Sequence, residues 1–354
     1  MDRRAFLRAT GGLAGAAALA GCVGSGLLDS SRVPPVLDDR PDAVYLPTHR
    51  EGMGMLGTGK TDDLAVLLGY SYPHRFWNVN GTEVERTPVS GDVHLMATVW
   101  DRETAVVVPG ADLSFEIVRD GEAVAGPEVL YPMLSQSMGV HYGDNVALAG
   151  DGEYAATVRI GALDTRRTGA FRDRFDEQAT VSIDFEYERA ARDDLRLVRY
   201  GNEAGERRAM RPTSMDALAP STAPERADLP GSPGGRAEAG DAIYVVTALD
   251  APPAGLAGDG GGRYLAVSAR TRYNRFVLPA MGLRGTLSRG DETVFEGDLV
   301  RTLDPKLNYH YGTVVPDVQQ GDSLALSATV PPQVARHEGY ETAFFDPPDA
   351  EVVL

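Results

Sequence analysis

Short runs in which apolar and polar residues alternate, each closed by turn residues, recur along the chain from about residue 64 onward. LAVLLGYSY (64–72), VHLMATVWD (93–101), DLSFEIVRDGEAV (112–124), YAATVRI (154–160) and ATVSIDFEY (179–187) all have this form. A period of two is the pattern of a half-buried strand, and Asp120-Gly121 between two such runs is a hairpin signal. In VHLMATVWD the period puts Val93, Leu95, Ala97 and Val99 on one face, and His94, Met96, Thr98 and Trp100 on the other. No stretch sustains an apolar period of 3.6 residues. Many short strands at regular spacing predict an all-β protein built as a β-sandwich.

The order of segments then repeats. YLAVSAR (264–270) echoes HLMATVW, GTLSRGDETVFEG (285–297) echoes SFEIVRDGEAVAG, NYHYGTVV (308–315) echoes GVHYGDNV, and ALSATV (325–330) echoes YAATVRI, at an offset near 170 residues throughout. This implies two tandem Ig-like β-sandwich domains made by internal duplication, at 41–190 and 242–354. Residues 22–40 read as a tether. Residues 191–241, with a run rich in proline and glycine from 205 onward, read as a linker or irregular insert.

The amino terminus carries a twin-arginine region, Asp2 to Arg8, and a small-residue apolar run from Gly11 to Gly21 that is too short to span a bilayer. Residues 1–21 therefore read as an export signal. Leu19-Ala20-Gly21-Cys22 resembles a lipobox, with Cys22, the single cysteine, as the lipidation site. The expected location is extracytoplasmic, anchored by lipid to the outer face of the membrane. The formal net charge is −17, and of the 34 basic residues only Lys60 and Lys306 are lysines. That composition resembles proteins of haloarchaea, and its acidity excludes nucleic-acid binding, which needs a basic patch. No nucleophile elbow, P-loop, zincin or dinucleotide motif is present, so no enzyme activity is expected.

The candidate chemistry lies in YPMLSQSMGVHYGDNV (131–146), where Met133 and Met138 stand close to His141. Thioether sulfur with imidazole nitrogen suits copper and other soft or borderline ions. His94 and Met96, two residues apart on one strand face, are the natural partners of that loop. The second copy holds Tyr264 where the first has His94, and its His310 has no methionine nearby, so His310 reads as structural. Two further groups carry less weight: His49 with Met53 and Met55, read as a turn, and Tyr72 to Trp77, read as a packed aromatic edge.

VHLMATVWD, followed by PMLSQSMGVHYGDNVAL and GEYAATVRI, resembles the periplasmic ferrous-iron transport protein family, and AVYLPTHREGMGM (43–55) resembles its first strand. The resemblance covers residues 43–187, with a degenerate echo in 242–345. It implies copper-binding Ig-like sandwiches that assist iron uptake, with His94, Met133 and His141 as ligands of a copper or iron ion and Met96 and Met138 in support. Met96 stands where the family has glutamate, and His337 stands near the place of a further family histidine, but in the second copy. A metal permease is the implied partner. A homodimer and an intramolecular pseudo-dimer of the two copies are both open, and the duplication favours the second. The alternative from another class is a surface interaction module in which the His and Met residues merely pack.

Overall fold

The alternating segments all form strands. The computed structural model describes residues 32–256 and 261–354, and within it residues 34–354 make one compact unit. The leader (1–21), Cys22 and the first part of the tether lie outside the described residues. Among the described residues the one α-helix is the short Arg189–Asp193.

The first half has the strand order Gly54–Lys60, Leu64–Ser71, Val93–Asp101, Gly139–Val146, Glu122–Ser135, Leu113–Arg119, Gly152–Ile160, Ala179–Tyr187. The second half repeats it as Ser232–Ala239, Ala242–Leu249, Arg263–Thr271, Asn308–Val315, Glu292–Asp304, Gly282–Arg289, Ser323–Val330, Ala350–Val353. In each, one long strand turns the corner between two layers. The start of Glu122–Ser135 pairs with Leu113–Arg119, whereas its end, from Tyr131 on, pairs with Gly139–Val146. Each path so folds into a sandwich, and the outermost strands meet. A Cβ added at Gly59 would fall 2.0 Å from Val181 Cγ1, and one at Gly235 2.4 Å from Val352 Cγ1. Only glycine allows that approach in either copy.

The core follows from the period of two. Val66, Leu68, Leu95, Ala97 and Val99 of one layer face Phe115, Ile117, Val158 and Ile183 of the other, all buried. Val246, Leu265, Val267, Leu287, Leu324 and Val352 do the same in the second half and belong to the same continuous apolar cluster. The residues between them on each strand point to the outer faces of the sandwiches.

The stretch expected as irregular insert is more ordered than its composition implies. Leu197–Arg199 pairs with His49–Glu51, and Ser232–Ala239 is the first strand of the second sandwich. Its Pro233, Gly234 and Gly235 sit at an edge and at a register shift, where a missing donor and a missing side chain are tolerated.

The two sandwiches exchange short arms. Arg166–Arg167, just after Gly152–Ile160, runs parallel to Thr302 and Leu303 of the second half. Ala335–Arg336, just after Ser323–Val330, runs parallel to Met133 and Leu134 of the first. The second arm also bridges to Trp77. Arg336 anchors it from inside. Its guanidinium is fully buried, donates to the carbonyls of Pro332, Tyr340 and Ala343, and lies 4.3 Å from the Phe345 ring centre. Burial pushes the Arg336 pKa down to about 9, which still leaves it charged at neutral pH. Residues 43–46 cross between the halves, with Tyr45 N donating to Gly339 O, Leu46 N to Glu206 O and Val44 N to Asp241 Oδ2.

Replacing Arg336 by alanine strands these carbonyls in a dry interior and opens a cavity. The expected loss is about 3 kcal/mol of unfolding free energy, since each unpaired buried group costs ~1–3 kcal/mol. Chemical denaturation followed by circular dichroism checks it.

Candidate metal centre

Two ladder positions put the key side chains on one outer face. Met133 is paired directly with His141, and His94 with Asn145 on the same strand as His141. Leu134, Val140 and Tyr142 point into the sandwich core, so Met133 and His141 point away from it. Phe76 and Ala335 then pack on Met133 from outside. What is a solvent face in an ordinary sandwich is covered here by the turn at 72–76 and by the arm of the other half.

That arm delivers His337. His337 N donates to Leu134 O, and the ring reaches back over the ladder. Its Nε2 lies 3.2 Å from His141 Nε2 and 3.3 Å from Met133 Sδ. His94 Nε2 closes the group: a Cβ added at Gly143 would fall 2.8 Å from His94 Nε2 and 3.2 Å from Met133 Sδ, so both atoms border one small space. For bonds of about 2.0–2.1 Å to nitrogen, the edges of a tetrahedral site are about 3.3 Å. The observed separations are of that size.

The hydrogen-bond network assigns the tautomers of His94 and His141. His94 Nδ1 donates to Asn145 Oδ1 at 3.0 Å and His141 Nδ1 to Gly139 O at 3.0 Å, which leaves both Nε2 atoms as bare acceptors. His74 Nδ1 donates to Glu51 Oε2 at 3.0 Å, and His74 Nε2 lies 3.1 Å from His337 Nδ1. His94 Nε2 is buried without any hydrogen-bond partner. The Nε2 lone pairs of His94 and His141 and the Met133 thioether sulfur therefore gather around His337 Nε2, an arrangement that a cation relieves.

The electrostatics keep it so. Burial holds His94 and His337 well below the ordinary histidine value, helped by the neighbouring imidazoles, and holds His141 down to about 4. Burial works to raise the Glu51 carboxyl, but His74 and His49 outweigh it and hold it below its usual value. Glu51, His74 and His337 form a line from carboxylate through two imidazoles to the centre. A carboxylate behind a ligating histidine fixes its ring and raises its basicity.

Five of the six histidines thus gather here, His49 included through Glu51. Of the residues singled out from the sequence, His94, Met133 and His141 come together. Met96 is buried two residues along the His94 face, opposite Gly143. Met138 goes elsewhere: it lies in the turn beyond the last ladder pair, Ser135 with Gly139, and packs among Pro212, Met215, Leu218 and Phe276. Met55 is exposed. His74 was read as part of a packed aromatic edge and Glu51 was not singled out, because they sit in a turn and on a three-residue strand. The scarcity of histidine was the available signal for them.

The comparisons fall on these residues. Residues 88–189 match the family model described as Fe2+ transport protein. That span holds His94, Met133 and His141. Residues 227–353 match a domain of unknown function, DUF7350, and this span holds His337. Similar solved structures include a copper-bound variant of FetP from uropathogenic Escherichia coli strain F11, 22% identical over 38% of this chain and 97% of that one, with a TM-score of 0.30. FetP of the same strain in the "as isolated" state is 21% identical over 40% of this chain and 96% of that one, with a TM-score of 0.29. No curated protein matches the chain.

The matching place in the second half has no such donors. By ladder position Tyr264, Thr302, His310 and Thr168 replace His94, Met133, His141 and His337. Tyr264 Oη lies 2.9 Å from His310 Nε2 and would be 2.1 Å from a Cβ at Gly312, so the tyrosine fills the space. Arg166 donates to Tyr264 Oη, Thr302 Oγ1 and Gly312 O. A guanidinium occupies the neighbourhood where the first half collects bare acceptors.

Gly143→Ala is expected to put a methyl among the donors of the first half and lower metal affinity at least about tenfold, with the fold unchanged by circular dichroism. The pH dependence has a definite sign. These histidines stay neutral in the fold but take a proton near pH 6.5 when unfolded, so the unfolded chain binds more protons between about pH 4 and 6.5. Stability of the metal-free protein should rise with pH across that window and level off above it. Denaturant titrations at several pH values, with His141→Ala showing a shallower rise, test this.

Proposed function

We propose that this chain is an exported, lipid-anchored metal carrier that holds a copper or iron ion through His94, Met133, His141 and His337, with Met96 beside them, and serves as an accessory to iron uptake at the outer face of the membrane. One observation carries the reading. Imidazole nitrogens of His94, His141 and His337 and the Met133 thioether sulfur border one small buried space, with His337 Nε2 3.2 Å from His141 Nε2 and 3.3 Å from Met133 Sδ. The Fe2+ transport protein match over 88–189 supports it. The similarity to FetP, one structure of which is copper-bound, points the same way only as a likeness.

The donor set favours a soft ion. A thioether binds reduced copper well and a hard divalent ion poorly, and the pocket offers no carboxylate to the inner donors other than through His74. Reduced copper is accordingly the preferred inner ion. The site draws a ligand from each sandwich, which supports reading the two copies as an intramolecular pseudo-dimer. Metal release to a permease would then follow from loosening one arm, the one that carries His337, and not from unfolding a sandwich.

The test is a calorimetric titration of residues 34–354 in high salt with copper(I), copper(II) and iron(II). One ion should bind per chain, with copper(I) tightest. The His94→Ala/His141→Ala double variant should abolish it and His337→Ala should weaken it at least about tenfold. Equal binding by the double variant and the wild type would return these residues to packing.

A further inference from the structure

Residues 49–55 read HREGMGM, and the carrier reading uses neither of its methionines. The ladder shows where they stand. Met55 of Gly54–Lys60 pairs with Gly69 of Leu64–Ser71, Gly69 with Met96 of Val93–Asp101, and Met96 with Gly143 of Gly139–Val146. Directly opposite residues share a face of the sheet, so these four positions form one row across the outer face that also carries His94, Met133 and His141. Every second position in that row is glycine. With strands about 4.8 Å apart, a Met–Gly–Met–Gly row has two gaps, each a side chain wide.

Thioether side chains border both gaps. Met53 Cε is 3.9 Å from the place of a Cβ on Gly69, and Met133 Sδ is 3.2 Å from the place of a Cβ on Gly143. Met53 therefore lies over the gap between Met55 and Met96, and Met133 beside the gap on the other flank of Met96. The row runs from solvent to the centre: Met55 is 54% exposed, Met96 is 3% exposed and Met133 is fully buried. Between the two ends, Met53 lines a surface pocket of about 370 Å³ with Gly52, Arg196, Val198 and Tyr200. The rows on either side bring no charged group to this face. Leu67 pairs with Thr98 on one flank, and Ser71 with His94, then His94 with Asn145, on the other.

We propose that Met55, Met53 and Met96 are a thioether relay that passes copper(I) between the surface pocket and the inner centre. The proposal rests on the reading of the inner cluster as a copper centre and gives that centre its route. A neutral thioether holds reduced copper and holds hard divalent ions poorly, so the row admits the ion that the inner donors prefer. At each step a bond from the ion to the next sulfur forms as the bond to the last one breaks. No electron moves, and no proton is released, since a thioether carries none. The inner centre adds imidazole nitrogens to its sulfur, whereas the row offers sulfur alone, so the ion rests at the centre and only passes along the row.

The experiment takes the full chain in high salt without oxygen, loaded with one equivalent of copper(I), and mixes it in a stopped-flow with excess bathocuproine disulfonate, whose copper(I) complex is coloured. Met53→Leu and Met53→Ala should each slow release at least about tenfold. Equilibrium competition with bicinchoninate should show unchanged copper(I) affinity, because Met53 is not among the inner donors. Leucine keeps the volume and alanine opens space, so equal slowing by both assigns the effect to the sulfur. Release from Met53→Leu as fast as from the wild type overturns the proposal, since the ion then leaves past the His337 arm. So does faster release from Met53→Ala, which would make Met53 a plug, and so does loss of affinity in both variants, which would make it a support of the centre itself. A wild-type chain that takes up no copper(I) sinks the inner reading and the relay with it, whereas normal binding with unaltered release sinks the relay alone.

Discussion

The two-residue parallel pairing of Ala335–Arg336 with Met133 and Leu134 is the contact on which the rest depends. An isolated pair of this length has little stability of its own, since parallel ladders need long crossovers and flanking burial. Here the surroundings supply it: the two terminal nitrogens of Arg336 donate to carbonyls of its own loop and its guanidinium stacks on an aromatic face, and Phe76 and Ala335 clamp Met133. Because the backbone is held this way, His337 has one place to put its ring. The outer face of the first sandwich becomes an interior only because the other half lays a strand across it.

The second half shows the opposite solution to the same geometry. The same ladder, the same His-Tyr-Gly and the same arm recur, yet Tyr264 fills the space left open at Gly143 in the first half, and Arg166 satisfies the acceptors with fixed protons. One locus leaves His94 Nε2 without a partner, and the other gives Tyr264 Oη, Thr302 Oγ1 and His310 Nε2 a partner each. The first arrangement is the less stable in the absence of a ligand, because unpaired buried polar atoms oppose folding. An unpaired buried nitrogen in one copy and paired groups in the other set the two loci apart.

Much of the architecture was legible along the chain. The period of two in VHLMATVWD separates His94 from the core, and the echo at an offset near 170 residues survives as an identical strand order. That His94, Met133 and His141 share one face of adjacent strands was legible for the same reason: register across a hairpin is local information. His337 was noticed only by its place in the repeat, since it reaches Met133 across two hundred residues and no local pattern encodes that arm. His74 and Glu51 arrive by a turn and a short edge strand, where side-chain direction is set by tertiary contacts. Ser232–Ala239 read as linker because proline and glycine punctuate loops more often than they line edges. Met138 looked like a ligand by distance along the chain, but a turn residue points where the turn closes, and this one closes onto Phe276 and its neighbours.

Joining the two copies in one polypeptide has a consequence for how such a site can change. In a symmetric homodimer every substitution appears twice, so a tyrosine at the place of His94 would have disabled both loci at once. With the copies fused, position 264 varies independently of position 94. One locus can drift into a rigid polar plug while its twin keeps its donors, and each arm can specialise for the half it serves. Joined in one chain, the two loci need not be alike, an asymmetry that the rotational symmetry of a homodimer forbids.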